Sequence, residues 1–216
     1  AGGAVGRLVT NDVHKGSSVN PERQAKPYAH CAMPDRAGRH LIACDLGCDT
    51  LFSYEIGPCG ELVLSGTTDA PAGEGPRHLI FDRNGDRAFL MTEMGASVIR
   101  YEYDQVEGRL IQRQMLSALP EGSECGRAGG DIQLSPDERY LYASNRDFSG
   151  AGRDTVARFR FEGEDLAPDG FIDVGAVPRG LAVSPDGRWL IVCCQEGNRV
   201  QVFEALTGAL ACEETI

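Results

Sequence analysis

The chain has 216 residues, of which 42% are hydrophobic and 25% are charged, and its formal net charge at pH 7 is −11. This composition is typical of a globular protein, and no apolar run approaches the roughly 18 residues that a membrane-spanning helix needs, so no membrane association is expected. The negative charge and the lack of a Lys/Arg cluster argue against nucleic acid as a partner, because phosphate backbones bind basic surfaces.

The first 26 residues do not belong to the repeat that follows them. Gly6–Thr10 predicts the outer strand of a preceding repeat unit, and a polar loop follows this strand. The chain is therefore expected to enter an array of repeats part-way.

A pattern of about fifty residues then recurs four times. Each copy has a short strand, a polar turn ending in arginine, a second strand rich in apolar and aromatic residues, and two further strands. The turn arginines are separated by 48, 52 and 49 residues, and they are Arg39, Arg87, Arg139 and Arg188. Periods of this size indicate propellers or related arrays. We expect the four arginines to be solvated surface residues.

The second copy shows the pattern most clearly, with strands predicted at 78–81, 88–92, 98–103 and 110–115. Gly, Asn, Asp and Pro in the intervening turns are typical of hairpins, and no helical periodicity exceeds two turns. The sequence thus predicts an all-β fold, a β-propeller of four-stranded antiparallel blades in one domain. The blades are expected at about 27–75, 76–128, 129–177 and 178–216, with residues 1–26 ending a preceding blade.

The eight cysteines are scattered along predicted strands and turns. They do not form a dense disulfide framework, so most are expected to be reduced. The close pair Cys44 and Cys48 lacks a second Cys/His pair at zinc-site spacing. We expect neither a metal nor an organic cofactor.

Chemically reactive side chains recur at one edge of the predicted blades. In an antiparallel blade the start of the first strand and the end of the second lie at the same edge, and the innermost strand lines the central channel. Alignment of the repeats places in one register His30, His78, Asp131 and Gly180, preceded by Ala29, Arg77, Gly130 and Arg179. The second strands end in Asp45, Glu93, Asn145 with Arg146, and Cys194 with Gln195. We expect these residues to meet at one mouth of the channel, where Asp45 is interpreted as a turn-stabilising carboxylate.

Several motifs along the chain are specific enough to indicate a family. They are Pro27-Tyr-Ala-His30, Cys44-Asp-Leu-Gly47, Gly75-Pro-Arg-His-Leu79, Thr92-Glu-Met94, Leu119-Pro-Glu-Gly122, Gly130-Asp-Ile132, Ser144-Asn-Arg146 and Pro178-Arg-Gly180. In order and spacing the chain resembles the seven-bladed propeller lactonases, which include bacterial propeller-type 6-phosphogluconolactonases and fungal carboxymuconate-lactonizing enzymes. The resemblance implies that the chain is a fragment, roughly the C-terminal two-thirds of a complete member, with four blades and a partial one of seven.

The same resemblance implies a carboxylic ester hydrolase that opens 6-phosphoglucono-1,5-lactone to 6-phosphogluconate in the pentose phosphate pathway. The expected protein is cytoplasmic, monomeric or weakly oligomeric, and acts on a small anionic sugar-phosphate or carboxylate lactone. A carboxymuconate cyclase or another lactonase is an alternative, and a non-catalytic interaction scaffold is a second one, because fold does not imply function. Clustered Arg, His and Glu at the mouth favour an enzyme.

The resemblance also implies roles for the mouth residues. His30 and Glu93 are candidate general acid/base groups, and which of the two acts as base stays open. Arg77 and Arg146 would hold a carboxylate and stabilise an oxyanion. Substrate contacts are assigned to two groups, with His78 and Arg179 binding a phosphate or second anion, and Asp131, Asn145 and Gln195 orienting the substrate or binding sugar hydroxyls.

Overall fold

The computed structural model describes residues 6–123, 127–148 and 153–215, and none of these residues is helical. They form sixteen strands in four four-stranded antiparallel sheets, each built from strands consecutive in the chain. The strands are β1 Ala29–Pro34, β2 His40–Asp45, β3 Thr50–Ile56 and β4 Leu62–Asp69 in the first sheet, and β5 Pro76–Phe81, β6 Arg87–Thr92, β7 Ser97–Asp104 and β8 Arg109–Ser117 in the second. The third sheet has β9 Arg127–Leu134, β10 Tyr140–Asp147, β11 Thr155–Glu162 and β12 Asp165–Asp173, and the fourth has β13 Pro178–Val183, β14 Trp189–Cys194, β15 Arg199–Glu204 and β16 Leu210–Thr215. The predicted all-β fold of four-stranded antiparallel blades is confirmed, and the predicted strands of the second copy are each found within two residues.

The sheets pack face to face through the second strand of each one. In β6, Ala88 and Leu90 belong to the apolar cluster shared with the first sheet, whereas Phe89 and Met91 belong to the cluster shared with the third. Successive side chains of a strand point to opposite faces, so a strand buried on both sides must be apolar throughout. This packing explains the continuous apolar runs of the repeat, and it stacks the four sheets as blades.

The second repeat is offset by one residue from the spacing of the turn arginines. The turn between the first two strands is closed by equivalent backbone hydrogen bonds, Asp35 N to His40 O, Asp82 N to Arg87 O, Ser135 N to Tyr140 O and Ser184 N to Trp189 O. Arg87 therefore corresponds to the first residue of the other second strands, and Asp86 takes the turn position. The expectation that Arg87 is a solvated turn residue is wrong, since its Nε donates to Asp82 at 2.8 Å and its guanidinium lies 5.0 Å from the Phe161 ring centroid.

Two corrections to the site alignment follow from this register. The residue of the first sheet that matches His78 is Cys31, and His30 matches Arg77 and Arg179. At the ends of the second strands, Glu93 matches Arg146, because the Glu93 amide donates to Gly75 O and Arg146 pairs with Ala128, the residue of the third sheet equivalent to Gly75.

Residues 6–28 form no strand, so the outer strand expected at Gly6–Thr10 is not found. The segment instead lies against the first sheet, where the Leu62 amide donates to Thr10 Oγ1 at 3.0 Å. The His14 ring stacks on Phe52 at a centroid distance of 3.8 Å, and its Nδ1 lies 2.6 Å from Asp45 Oδ2. Ala1 to Val5 lie outside the described residues.

Candidate functional site

A β-bulge at the start of each innermost strand displays one residue toward a common point. The pairing of the first two strands skips one residue in three sheets, and the extra residues are His30, Arg77 and Arg179. In the third sheet Gly130 and Asp131 together oppose Ser144. Bulges re-aim side chains beside functional sites. The sequence alignment found most of these residues, but the bulge decides which of them share a position.

Glu93 is the centre of an arginine cluster. Its Oε2 accepts from Arg77 Nε at 2.9 Å and lies 3.0 Å from Arg146 Nη2, while its Oε1 accepts from Arg23 Nη2 at 2.6 Å. The side chains of Arg77 and Arg146 are both 2% exposed, and that of Glu93 is 10% exposed. Three cations around one carboxylate leave net positive charge in a chain that is strongly negative overall.

Burial alone would raise the pKa of Glu93. The hydrogen bond from Arg23 and the charges of Arg146 and Arg77 outweigh it and lower that pKa to about 2. Glu93 is therefore ionised at neutral pH and holds its proton too weakly to donate one. It can orient the guanidinium groups of Arg77 and Arg146.

Two adjacent glycines provide the carbonyl groups that fix these arginines. Arg77 Nη1 donates to Gly130 O at 2.9 Å, and Arg146 Nε donates to Gly129 O at 3.0 Å. A Cβ on Gly129 would lie 2.0 Å from the Thr92 carbonyl oxygen, so the backbone can approach this closely only without a side chain.

We expect Gly129→Ala to lower the free energy of unfolding by about 3 kcal/mol, because the methyl group collides with backbone that cannot move aside. Gly66→Ala is the matched control, since Gly66 also lies in a strand and an added Cβ there meets nothing within 4 Å. Urea unfolding of both variants measures the difference. Equal midpoints would show that the close approach at Gly129 has no energetic consequence.

His78 has both ring nitrogens occupied within the protein. Arg77 Nη1 lies 2.9 Å from His78 Nε2, and His78 Nδ1 lies 2.7 Å from Asp131 Oδ1. A guanidinium can only donate, so Nε2 accepts and Nδ1 carries the proton that Asp131 receives. Burial alone would raise the pKa of Asp131, but the hydrogen bonds from His78 and from the Leu181 amide lower it. The His78–Asp131 pair thus helps to hold Arg77 in position.

His30 lies beside the His78–Asp131 pair, and its ring nitrogens form no hydrogen bonds with the described residues. Its Nδ1 is buried without a hydrogen-bond partner among the described residues, and its Nε2 is 3.8 Å from Glu93 Oε2, beyond hydrogen-bond length. Its ring packs edge-on against His78 at a centroid distance of 5.3 Å. Burial, followed by the charge of Arg77, lowers the pKa of His30 to about 4. His30 is therefore a neutral imidazole able to accept a proton.

The remaining expected site residues are placed differently. Arg179 is exposed and lines the same cavity as His30 and Glu93. Asn145 is fully buried and donates to Thr155 Oγ1 at 3.4 Å and to the Ala118 carbonyl, away from the cavity. Gln195 is exposed after β14, and only its backbone has hydrogen bonds there. Asp45 has the structural role expected for it, since it accepts from the Tyr28 and Gly47 amides.

Sequence reasoning missed Arg23, which the irregular N-terminal segment carries to the cluster. The neighbouring Gln24 is fully buried and its Nε2 donates to Leu46 O at 2.9 Å, which anchors the segment beside the site. Arg23 lies outside the repeat, so no internal comparison could have indicated it. A cation in the segment that precedes the first strand was its only signal.

The cavity at this mouth has a volume of about 330 Å³ and is lined by Glu22, Arg23, Tyr28, His30, Leu46, Glu93 and Arg179. A larger cavity of about 620 Å³ lies by the outer strands, but each of its arginines is in an ion pair, Arg87 with Asp82, Arg100 with Asp165 and Arg113 with Glu102. No cluster of three or more His, Cys, Asp or Glu side chains suited to a metal occurs in the described part of the chain. The described residues include no apolar helix of the length that crossing a membrane requires.

The model of the family described as Lactonase, 7-bladed beta-propeller matches residues 1–213. The chain belongs to this family. The predicted propeller fold and the family resemblance are thereby confirmed.

Relatives of this chain include the 6-phosphogluconolactonase of Bacillus subtilis (strain 168), which is 30% identical over 205 residues that cover 94% of this chain and 57% of that protein. The structure of the Pseudomonas aeruginosa periplasmic gluconolactonase PpgL matches with a TM-score of 0.82 and 29% identity over 94% of this chain and 57% of that one. A protein structure from Lactobacillus plantarum matches with a TM-score of 0.90 and 25% identity over 100% of this chain and 63% of that one. The chain thus spans about three fifths of the length of these relatives.

Proposed function

We propose that this chain carries the active site of a lactone hydrolase, with 6-phosphoglucono-1,5-lactone as substrate and 6-phosphogluconate as product. The observation that carries the proposal is an unengaged, neutral His30 beside the Arg77–Glu93–Arg146 cluster. Lactone hydrolysis needs these two functions, a proton acceptor for water and positive charge where the carbonyl oxygen becomes anionic.

In this proposal His30 is the general base. It takes a proton from water as the water oxygen attacks the lactone carbonyl carbon, and the carbonyl oxygen becomes an oxyanion. Glu93 is unsuited to this step because its pKa of about 2 leaves it a weak base. The tetrahedral intermediate then expels the ring oxygen, which receives the proton from the His30 imidazolium, so the ester C–O bond breaks and no net proton is consumed.

Arg77 and Arg146 supply the positive charge for the oxyanion. The protein partners of Arg77 are bound by its Nε and Nη1, and those of Arg146 by its Nε and Nη2. Arg77 Nη2 and Arg146 Nη1 form no hydrogen bond with the described residues, although both side chains are buried. Preorganised donors of this kind stabilise developing charge without having to reorient. The scheme needs no metal or organic cofactor.

The sugar-phosphate substrate is supported by the name of the Bacillus subtilis relative and by the presence of Arg23 and Arg179 in the lining of the cavity. We propose a cytoplasmic location, because phosphorylated sugars are intracellular metabolites and the seven described cysteines are free thiols. Cell fractionation distinguishes this location from the periplasmic one of the Pseudomonas aeruginosa relative.

The test is hydrolysis by the full-length protein above the spontaneous rate, with 6-phosphogluconolactone, unphosphorylated gluconolactone and a carboxymuconate lactone as substrates. We expect the highest kcat/KM with the phosphorylated lactone. Turnover of the carboxymuconate lactone alone would assign the protein to the cyclase branch of the family. A folded protein inactive on all three lactones would contradict the enzyme hypothesis and favour an interaction scaffold.

A further inference from the structure

Arg23 differs from the other two arginines that contact Glu93. Its side chain is 54% exposed, whereas those of Arg77 and Arg146 are 2% exposed. A guanidinium has five N–H donors, and the ion pair of Arg23 with Glu93 Oε1 uses one of its nitrogens. Arg23 therefore presents further donors to the solvent side of the cavity.

Arg179 lines the same cavity from the bulge of the fourth sheet. It is exposed, and no carboxylate within the described ranges forms an ion pair with it. Two guanidinium groups thus reach one small cavity from opposite parts of the chain, one from the N-terminal segment and one from the last sheet.

His78 cannot bind the second anion that the sequence analysis assigned to it. His78 uses Nε2 for Arg77 and Nδ1 for Asp131, so it has no ring nitrogen left for a phosphate. Arg77 and Arg146 are held by Glu93 and by the Gly129 and Gly130 carbonyls. The cations with donors to spare at the rim are Arg23 and Arg179.

We propose that Arg23 and Arg179 form a subsite for a phosphate monoester at the rim of the cavity, and that Arg23 determines the preference for phosphorylated over unphosphorylated lactones. This inference rests on the proposed function and names the part of the substrate that the reaction leaves unchanged. Planar guanidinium groups bind phosphate oxygens bidentately, and phosphate carries enough charge to engage two of them. Anchoring of the segment by Gln24 presets the position of Arg23.

The test compares Arg23→Ala with Lys15→Ala, which removes the same charge from an exposed position of the same segment. We expect Arg23→Ala to raise KM for 6-phosphogluconolactone roughly tenfold to a hundredfold, the usual effect of losing a charged hydrogen bond, and to lower kcat/KM for gluconolactone by a much smaller factor. Arg23→Lys keeps the charge without the bidentate geometry, so its KM for 6-phosphogluconolactone should lie between that of the wild type and that of Arg23→Ala. Equal losses with both substrates would overturn the proposal and make Arg23 a positioning residue for Glu93.

Calorimetric binding of 6-phosphogluconate and gluconate separates this proposal from the catalytic one, since neither ligand reacts. We expect 6-phosphogluconate to bind at least tenfold more tightly than gluconate, and the difference to vanish in Arg23→Ala but persist in Lys15→Ala. Tight binding in a protein that opens no lactone would support the subsite and contradict the hydrolase. Equal affinities for the two ligands would refute the subsite even in an active hydrolase.

Discussion

Replacement of Glu93 by glutamine is expected to lower kcat for lactone hydrolysis at least a hundredfold. The amide keeps the size of the carboxylate but removes the charge that orients Arg77 and Arg146. The two guanidinium groups then lose the contact that holds them beside each other, and loss of an aligned oxyanion donor costs on this scale. Arg77→Ala removes the other half of the same pair and should produce a loss of similar size.

Glu93→Gln should also reduce the free energy of unfolding by about 3 kcal/mol, because removal of one partner from a buried ion cluster leaves uncompensated charge. Glu74→Gln is the matched control. Glu74 accepts from Thr92 Oγ1 at the same edge of the same sheet, and no arginine forms an ion pair with it among the described residues. Steady-state kinetics and urea unfolding of both variants measure the two effects. A Glu93→Gln protein with wild-type kcat would remove Glu93 from the mechanism.

His30→Asn is expected to lower kcat by about two to four orders of magnitude, the usual contribution of a general base, while KM changes little. The pH dependence of the wild-type protein tests the assignment more directly. A base works while unprotonated, and burial with the charge of Arg77 lowers the pKa of His30 to about 4. The value of kcat/KM should therefore stay level from about pH 8 down to about pH 5, and then decrease roughly tenfold per pH unit below about pH 4.

An acid limb centred near pH 6.5 would indicate a histidine with an ordinary pKa as base, and a limb near pH 2 would transfer the role to Glu93. His40→Gln serves as control, because His40 is also buried but lies at the opposite edge of the first sheet beside Asp35. Its kcat and pH profile should match the wild type. The same profile in His30→Asn as in the wild type would exclude His30 as the titrating group.

The site shows where prediction from sequence succeeds and where it fails. The residues around Glu93 were found because blade edges recur at a fixed period. The equivalence of His30 with His78 was wrong by one residue, because Arg87 was treated as a turn arginine like Arg39, whereas the structure pairs it with Asp82 as the first residue of β6. Asn145 and Gln195 follow the same periodic rule, but their side chains do not reach the cavity.

The sequence by itself determined the strands, the four-stranded blades and the edge at which charged residues gather, since alternation and repeat period are local properties of the chain. Only the tertiary structure decided that Arg23 contacts Glu93, that both ring nitrogens of His78 are hydrogen-bonded and that those of His30 are free among the described residues. Those features depend on bulges and on an irregular segment whose course is set by contacts between residues distant in the chain. Each of these hydrogen bonds occurs once in the chain, so the sequence repeat does not indicate it.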